Sequence, residues 1–175
     1  MEDISYGGWS GRYALKGSKE ITNARLYQAA KGDKLGIAQW IAGIQSDFAM
    51  RADWCVTENY GDANHLPRAA VEEGIDLTAD AGASVTLHAS AEDPDGDALT
   101  YRWYHYPWGD TYEEEKDEDK NPVGIPVNVS EDGSQAEVTV PADAKSGDTI
   151  HIILECVDGG GTNPIAYQRV IITVN

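Results

Sequence analysis

Two periodicities divide the chain. From Ile37 onward, apolar residues recur at steps of three and four (Ile37, Trp40, Ile41, Ile44, Phe48, Ala52, Cys55). That is the spacing of one helix face, and it predicts an amphipathic helix running to about Trp54. Gln39, Gln45, Ser46 and Asp53 fall on the opposite face. Farther along, the period drops to two. Val85, Leu87 and Ala89 alternate with Thr86, His88 and Ser90, and Leu99, Tyr101 and Trp103 with Thr100, Arg102 and Tyr104. Ala136 to Val140, Ile150 to Cys156 and Val170 to Val174 follow the same rule, which marks strands with one buried face.

Turn clusters separate these strands: Asp93-Pro94-Asp95-Gly96-Asp97, Glu131-Asp132-Gly133-Ser134 and Asp158-Gly159-Gly160-Gly161. Five to seven short strands punctuated in this way predict a mainly β fold, an antiparallel sandwich of immunoglobulin-like type, with the short helical segment packed against it. Trp103 falls on the third strand, where such sandwiches often bury an aromatic ring. The inter-sheet disulfide of antibody domains is missing, and Val85 or Leu87 and Leu154 or Cys156 stand at the corresponding core positions. Cys55 and Cys156 read as buried free thiols, each on an apolar face.

Charge sharpens the division. The 175 residues carry 30 Asp or Glu against 13 Lys or Arg, a net charge of −17. Residues 1–66 hold seven basic and eight acidic side chains, net −1, so the other 109 residues carry −16. The expected boundary lies near Asn64-His65-Leu66-Pro67, giving a helical segment at 1–66 and a sandwich at 67–175. About 66 residues with one strongly periodic element bury too little surface to stand alone, so the first part is expected to pack on the second or to end a larger domain. So acidic a chain repels phosphates, which argues against nucleic acid as a partner. No apolar run reaches the length of a membrane span, and Met1 is followed by Glu2-Asp3 rather than by the basic and apolar regions of a signal peptide.

Three groups of residues could carry chemistry. Tyr101, Trp103, Tyr104, Tyr106, Trp108 and Tyr112 form an aromatic run. With Tyr101 and Trp103 facing inward, the pleat sends Arg102, Tyr104 and Tyr106 to the other face, with Trp108 and Tyr112 following in a loop. Those rings either stack on sugars, with Arg102 and Asp110 bonding hydroxyls, or bury against the helix or another domain. Asp93, Asp95 and Asp97, joined by Asp158 from the neighbouring loop, offer hard oxygens suited to calcium; the alternative is an Asx-type turn bonded only to nearby amides. Trp9, Arg12 and Tyr13 sit on the glycine-rich segment Tyr6 to Tyr13, which reads as a loop that reaches a ligand cleft or pins itself to the helix. The acidic run Glu113 to Asp119 reads as a solvated loop. No GxSxG, HExxH or phosphate-binding loop occurs and the four histidines are scattered, so no catalytic residue is assigned and enzymatic activity is not expected of this chain.

Glu92-Asp93-Pro94-Asp95-Gly96-Asp97-Ala98-Leu99-Thr100-Tyr101-Arg102-Trp103, together with Cys156-Val157-Asp158-Gly159-Gly160, resembles polycystic-kidney-disease-like and cadherin-like modules of secreted bacterial proteins. Gly7 to Tyr13, Ile44 to Val56 and Ala63-Asn64-His65 add a resemblance to a bacterial cellulose-binding family. In that family a nucleoside-hydrolase-like domain precedes an immunoglobulin-like C-terminal domain. The resemblance covers nearly the whole chain, except the acidic insert at Glu113 to Lys120. It implies the C-terminal part of a longer extracellular or periplasmic protein, with a polysaccharide and the upstream domain as partners. It also implies that Trp9, Arg12 and Tyr13 belong to the hydrolase-like part, whose aspartate-rich calcium site has no match here.

Overall fold

The structure, a computed structural model, describes residues 13–15, 27–29 and 37–175. Two short strands, β1 (Tyr13–Leu15) and β2 (Tyr27–Ala29), pair antiparallel. A single 3-10 turn at Ala38–Trp40 leads into the helix α1 (Ile41–Trp54). Eight further strands follow: β3 (Arg68–Val71), β4 (Asp76–Ala79), β5 (Ser84–Glu92), β6 (Leu99–His105), β7 (Val127–Val129), β8 (Gln135–Thr139), β9 (Thr149–Asp158) and β10 (Ile165–Val174).

These eight strands form two sheets, ordered β3-β5-β8-β7 and β4-β10-β9-β6. All pairings within them are antiparallel except β4 with β10. The consecutive strands β3 and β4 take edges of different sheets, so the chain enters the sandwich by crossing from one layer to the other. The side chains between the sheets form the main core, with Leu87, Val138, Ile150, Ile152, Leu154, Val170 and Ile172 wholly buried. Leu87 and Leu154 thus lie together in the core where antibody domains place a disulfide. Trp103 packs there too, and its indole N–H donates to the Gly133 carbonyl at 2.9 Å, so the ring is buried without an orphaned donor. Gly133 has a φ of +75°, and a Cβ there would stand 2.8 Å from the Tyr101 carbonyl oxygen, so this turn admits little but glycine.

The helix forms over the predicted span, but of its predicted apolar stripe only Trp40 and Ile44 join the cluster on the sheet. Trp40, Gly43 and Met50 are buried, whereas Ile37, Ile41 and Phe48 are exposed, Phe48 by 74%. The reason lies in the surface it meets. Trp40 packs edge-on to Tyr167 with ring centroids 5.2 Å apart and against Tyr106 at 5.6 Å. A Cβ on Gly43 would lie 2.6 Å from the Tyr167 hydroxyl, so the backbone comes down on that ring at the one helical residue without a side chain. Cys156 is buried as expected, but Cys55 is exposed because it lies on the outward side; its thiol donates to the Arg51 carbonyl.

Candidate functional site

The aromatic run does not make an open row of rings. Tyr106 keeps only 1% of its surface, packed with Trp40 and Ile153, and the Arg169 guanidinium lies 5.4 Å from its ring centre. Tyr104, Trp108 and Tyr167 are partly buried against the same cluster. The Tyr104 hydroxyl donates to Glu155 at 3.2 Å, and burial, followed by the Glu155 charge, raises its pKa. Arg102 stays exposed, 3.0 Å from Glu155. Tyr112 leaves the group altogether. It packs on the main core and donates to Asp143 at 2.9 Å, with its pKa pushed up to about 12 by desolvation and then by that bond. Tyr106 is therefore closed to solvent under Trp40, and Tyr104 is half-buried with its hydroxyl on Glu155, so neither presents an open ring face. Trp9 and Arg12 lie outside the described residues, and Tyr13 pairs with Ala29 in the small sheet.

Of the four aspartates, the structure gathers three. Carboxylate oxygens of Asp93, Asp97 and Asp158 lie within 4.8 Å of one another. Asp93 Oδ1 accepts the backbone N–H groups of Asp95 and Asp97 at 2.9 and 3.0 Å, the expected Asx-type turn, which leaves Oδ2 for other use. Asp158, fully buried at the end of β9, accepts from the Gly160 N–H and from the Asn64 side-chain amide, both at 2.7 Å. Desolvation and then the charges of Asp158, Asp93 and Asp95 raise the pKa of Asp97. The nearby Cys156 thiol is pushed up to about 11, by burial first and then by Asp158 and Asp93.

Asp95 points elsewhere. Its Oδ2 accepts the His65 backbone N–H at 2.7 Å, and its Oδ1 lies 3.0 Å from the imidazole Nδ1. That clamp holds the His65 ring in a stack with Tyr60, centroids 3.6 Å apart, and with Trp54 at 5.4 Å. Trp54 is fixed in turn by an indole N–H bond to the Asn64 carbonyl at 2.8 Å, with the Arg51 guanidinium 5.4 Å from its ring centre. Beside these rings lies an open cleft of about 390 Å³, bordered also by Thr57, Glu58 and Asn59. Tyr60 remains 68% exposed. The period and composition of the sequence do not anticipate this grouping of accessible rings and polar side chains. Its signals were the aromatic end of the helix at Trp54 and the Asn64-His65 pair, but only the tertiary bond from Asp95 joins them.

The fold and this flank define a class: an immunoglobulin-like sandwich carrying a docked N-terminal helix, with an aromatic cleft where the helix leaves it. The family model of the cellulose-binding protein Sde0182 C-terminal domain matches residues 84–174, and the chain belongs to that family. A nucleoside hydrolase-related hypothetical protein from Saccharophagus degradans, described as associated with carbohydrate metabolism, has a similar structure at a TM-score of 0.76 and 34% identity. The match covers 98% of this chain but 43% of that one, so the chain spans less than half of its relative's length. Domain 1 of VCBP3 from Branchiostoma floridae (10% identity, 63% of this chain and 96% of that one) and the Sidekick-1 immunoglobulin domains (18%, 65% and 21%) reach TM-scores of only 0.41 and 0.37, too low to argue from. No curated protein is significantly similar to the chain.

Proposed function

We propose that this chain is a non-catalytic carbohydrate-binding module of a longer extracellular or periplasmic protein, and that it holds a polysaccharide at the cleft of Trp54, Tyr60 and His65. The observation that carries this reading is the stack of rings left open to solvent, with Tyr60 outermost. Aromatic faces take up the apolar faces of sugar rings, and Thr57, Glu58 and Asn59 stand where hydroxyls would need partners. The name of the family and the carbohydrate association of the Saccharophagus relative support the ligand class. Among the cleft's described residues Glu58 is the one carboxylate, whereas glycoside hydrolysis ordinarily uses two, which supports binding without cleavage.

The test is retention on insoluble cellulose together with titration by soluble oligosaccharides. Tyr60→Ala is expected to weaken binding about 3- to 10-fold, the scale of one lost stacking contact, and Tyr106→Phe to leave it unchanged. Wild-type retention no better than that of an inert protein would sink the proposal.

A second reading has its own observation. The outward apolar stripe of Ile37, Ile41 and Phe48 suits a structural module that orients an upstream hydrolase-like domain and binds no sugar itself. On that reading Phe48→Lys would separate the two parts of the longer protein, measured by limited proteolysis of the joined chain, while cellulose retention would be absent throughout.

A further inference from the structure

Two oxygens near the aspartate cluster are sealed from solvent and have no hydrogen-bond partner: Asp93 Oδ2 and Asn64 Oδ1. They come from different segments, one from the loop after β5 and one from the approach to β3. Leaving a buried acceptor unsatisfied is unfavourable, and a fold that does so twice at one spot provides for something that binds oxygen. Convergence is visible at Gly160. A Cβ there would touch Asp97 Oδ2 and stand 2.6 Å from Asn64 Oδ1, so backbone without a side chain leaves that space open between them. Around the same space stand Asp93, Asp97 and the fully buried Asp158, three carboxylates whose mutual repulsion a cation among them would relieve.

We propose that Asp93, Asp97, Asp158 and Asn64 form a calcium site. All four supply hard oxygens, and calcium accepts six to eight of these in a flexible geometry completed by carbonyls and water. Nitrogen and sulfur ligands, which would favour zinc or copper, do not belong to the group. The ligand set revises the run of aspartates expected from sequence: Asp95 gives up its place to clamp His65, and Asn64 fills it.

The site also reaches the cleft, and this part rests on the carbohydrate reading above. Asn64 turns its side chain to the aspartates and its carbonyl to the Trp54 indole N–H, and His65 follows it in the chain. Calcium bound by Asn64 therefore fixes the segment that holds Trp54 and His65 in place, so sugar affinity depends on calcium although the cation does not touch the sugar.

Calcium chloride alone is the first probe. A melting curve of the whole chain with the cation about 100-fold above its Kd, against a chelator, is expected to rise by roughly 5–10 °C. Asp97→Asn alters an exposed residue, so the protein should fold, and the rise should be lost; Asp95→Asn should keep it. No shift at millimolar calcium, or an equal shift in wild type and Asp97→Asn, overturns the site. Cellulose retention is then measured with calcium and with chelator. Loss of retention in chelator, in wild type but not beyond the chelated level in Asp97→Asn, supports the coupling, and equal retention overturns it. A calcium shift in a protein that binds no sugar overturns the carbohydrate reading and leaves the metal site standing.

Discussion

The two sheets of the sandwich face their surroundings differently. On β8, in the sheet of β3, β5 and β7, burial alternates strictly: Ala136 and Val138 point in, while Gln135, Glu137 and Thr139 are exposed. On β9, in the other sheet, Ile150 through Cys156 are buried without a break. Both are central strands of four-stranded sheets, so position in the sheet does not explain the contrast. What lies on the outer face does. Trp40, just ahead of the helix, packs with Ile153 and Tyr106, Gly109 in the loop after β6 lies against the His151 ring, and Glu155 sits between Tyr104 and Arg102. The outer face of β8 is thus left to solvent while that of β9 is covered by the docked segment and by the loop after β6, and these coverings rather than the sandwich topology make the difference.

The largest test compares equivalent outward positions. Ile153→Ala removes a side chain that is 97% buried under Trp40 and Tyr106, and about 2–4 kcal/mol of stability should go with it in a denaturant titration. Glu137→Ala, outward on β8, should stay within about 0.5 kcal/mol. Similar losses at both would mean that the helix does not cover the sheet in solution. A smaller effect is expected at the point of closest approach. Gly43→Ala drives a methyl group against the Tyr167 hydroxyl and should cost about 1–3 kcal/mol, although alanine is the better helix former. Combining it with Tyr167→Phe removes the nearest atom, so the double variant should recover part of the loss. Additive losses would place the strain elsewhere.

The strands and the inward residues of the sandwich were legible because a half-buried strand leaves its period in the sequence. Leu87, Trp103 and Leu154 stand where the alternation put them. The helix span was equally legible, but its buried face only in part. Of the apolar stripe Trp40 and Ile44 pack inward while Ile37, Ile41 and Phe48 do not, and Gly43 and Met50, off the stripe, are buried, Gly43 because its bare backbone fits against Tyr167. The sites show the same limit. Asp93, Asp97 and Asp158 could be foreseen from turn composition, but nothing local distinguishes Asp95, which turns to His65, from its neighbours. The cleft joins residues 54, 60 and 65 through a bond from residue 95, and a contact across the chain has no period to reveal it.

The smallest effect tests whether the uncovered sheet relies on local polar turns where the covered one relies on packing. Asp132, between β7 and β8, accepts the Ser130 hydroxyl at 2.7 Å and the Ser134 N–H at 3.0 Å and hydroxyl at 2.8 Å. The Ser130 hydroxyl and then the Ser134 N–H hold its pKa at about 2, below the ordinary 3.8. A depressed carboxyl binds its proton more readily in the unfolded chain. Its contribution is therefore complete above about pH 4 and lost as the pH falls through about 2. Because Asp132 is fully exposed, the loss should be confined to the hairpin. Amide exchange at Ser134 and Gln135 should quicken between pH 4 and 2, beyond the intrinsic pH dependence, while β9 amides keep their protection. Asp132→Asn should abolish that local pH dependence, and β9 opening in step with the hairpin would show that the two sheets respond as one unit.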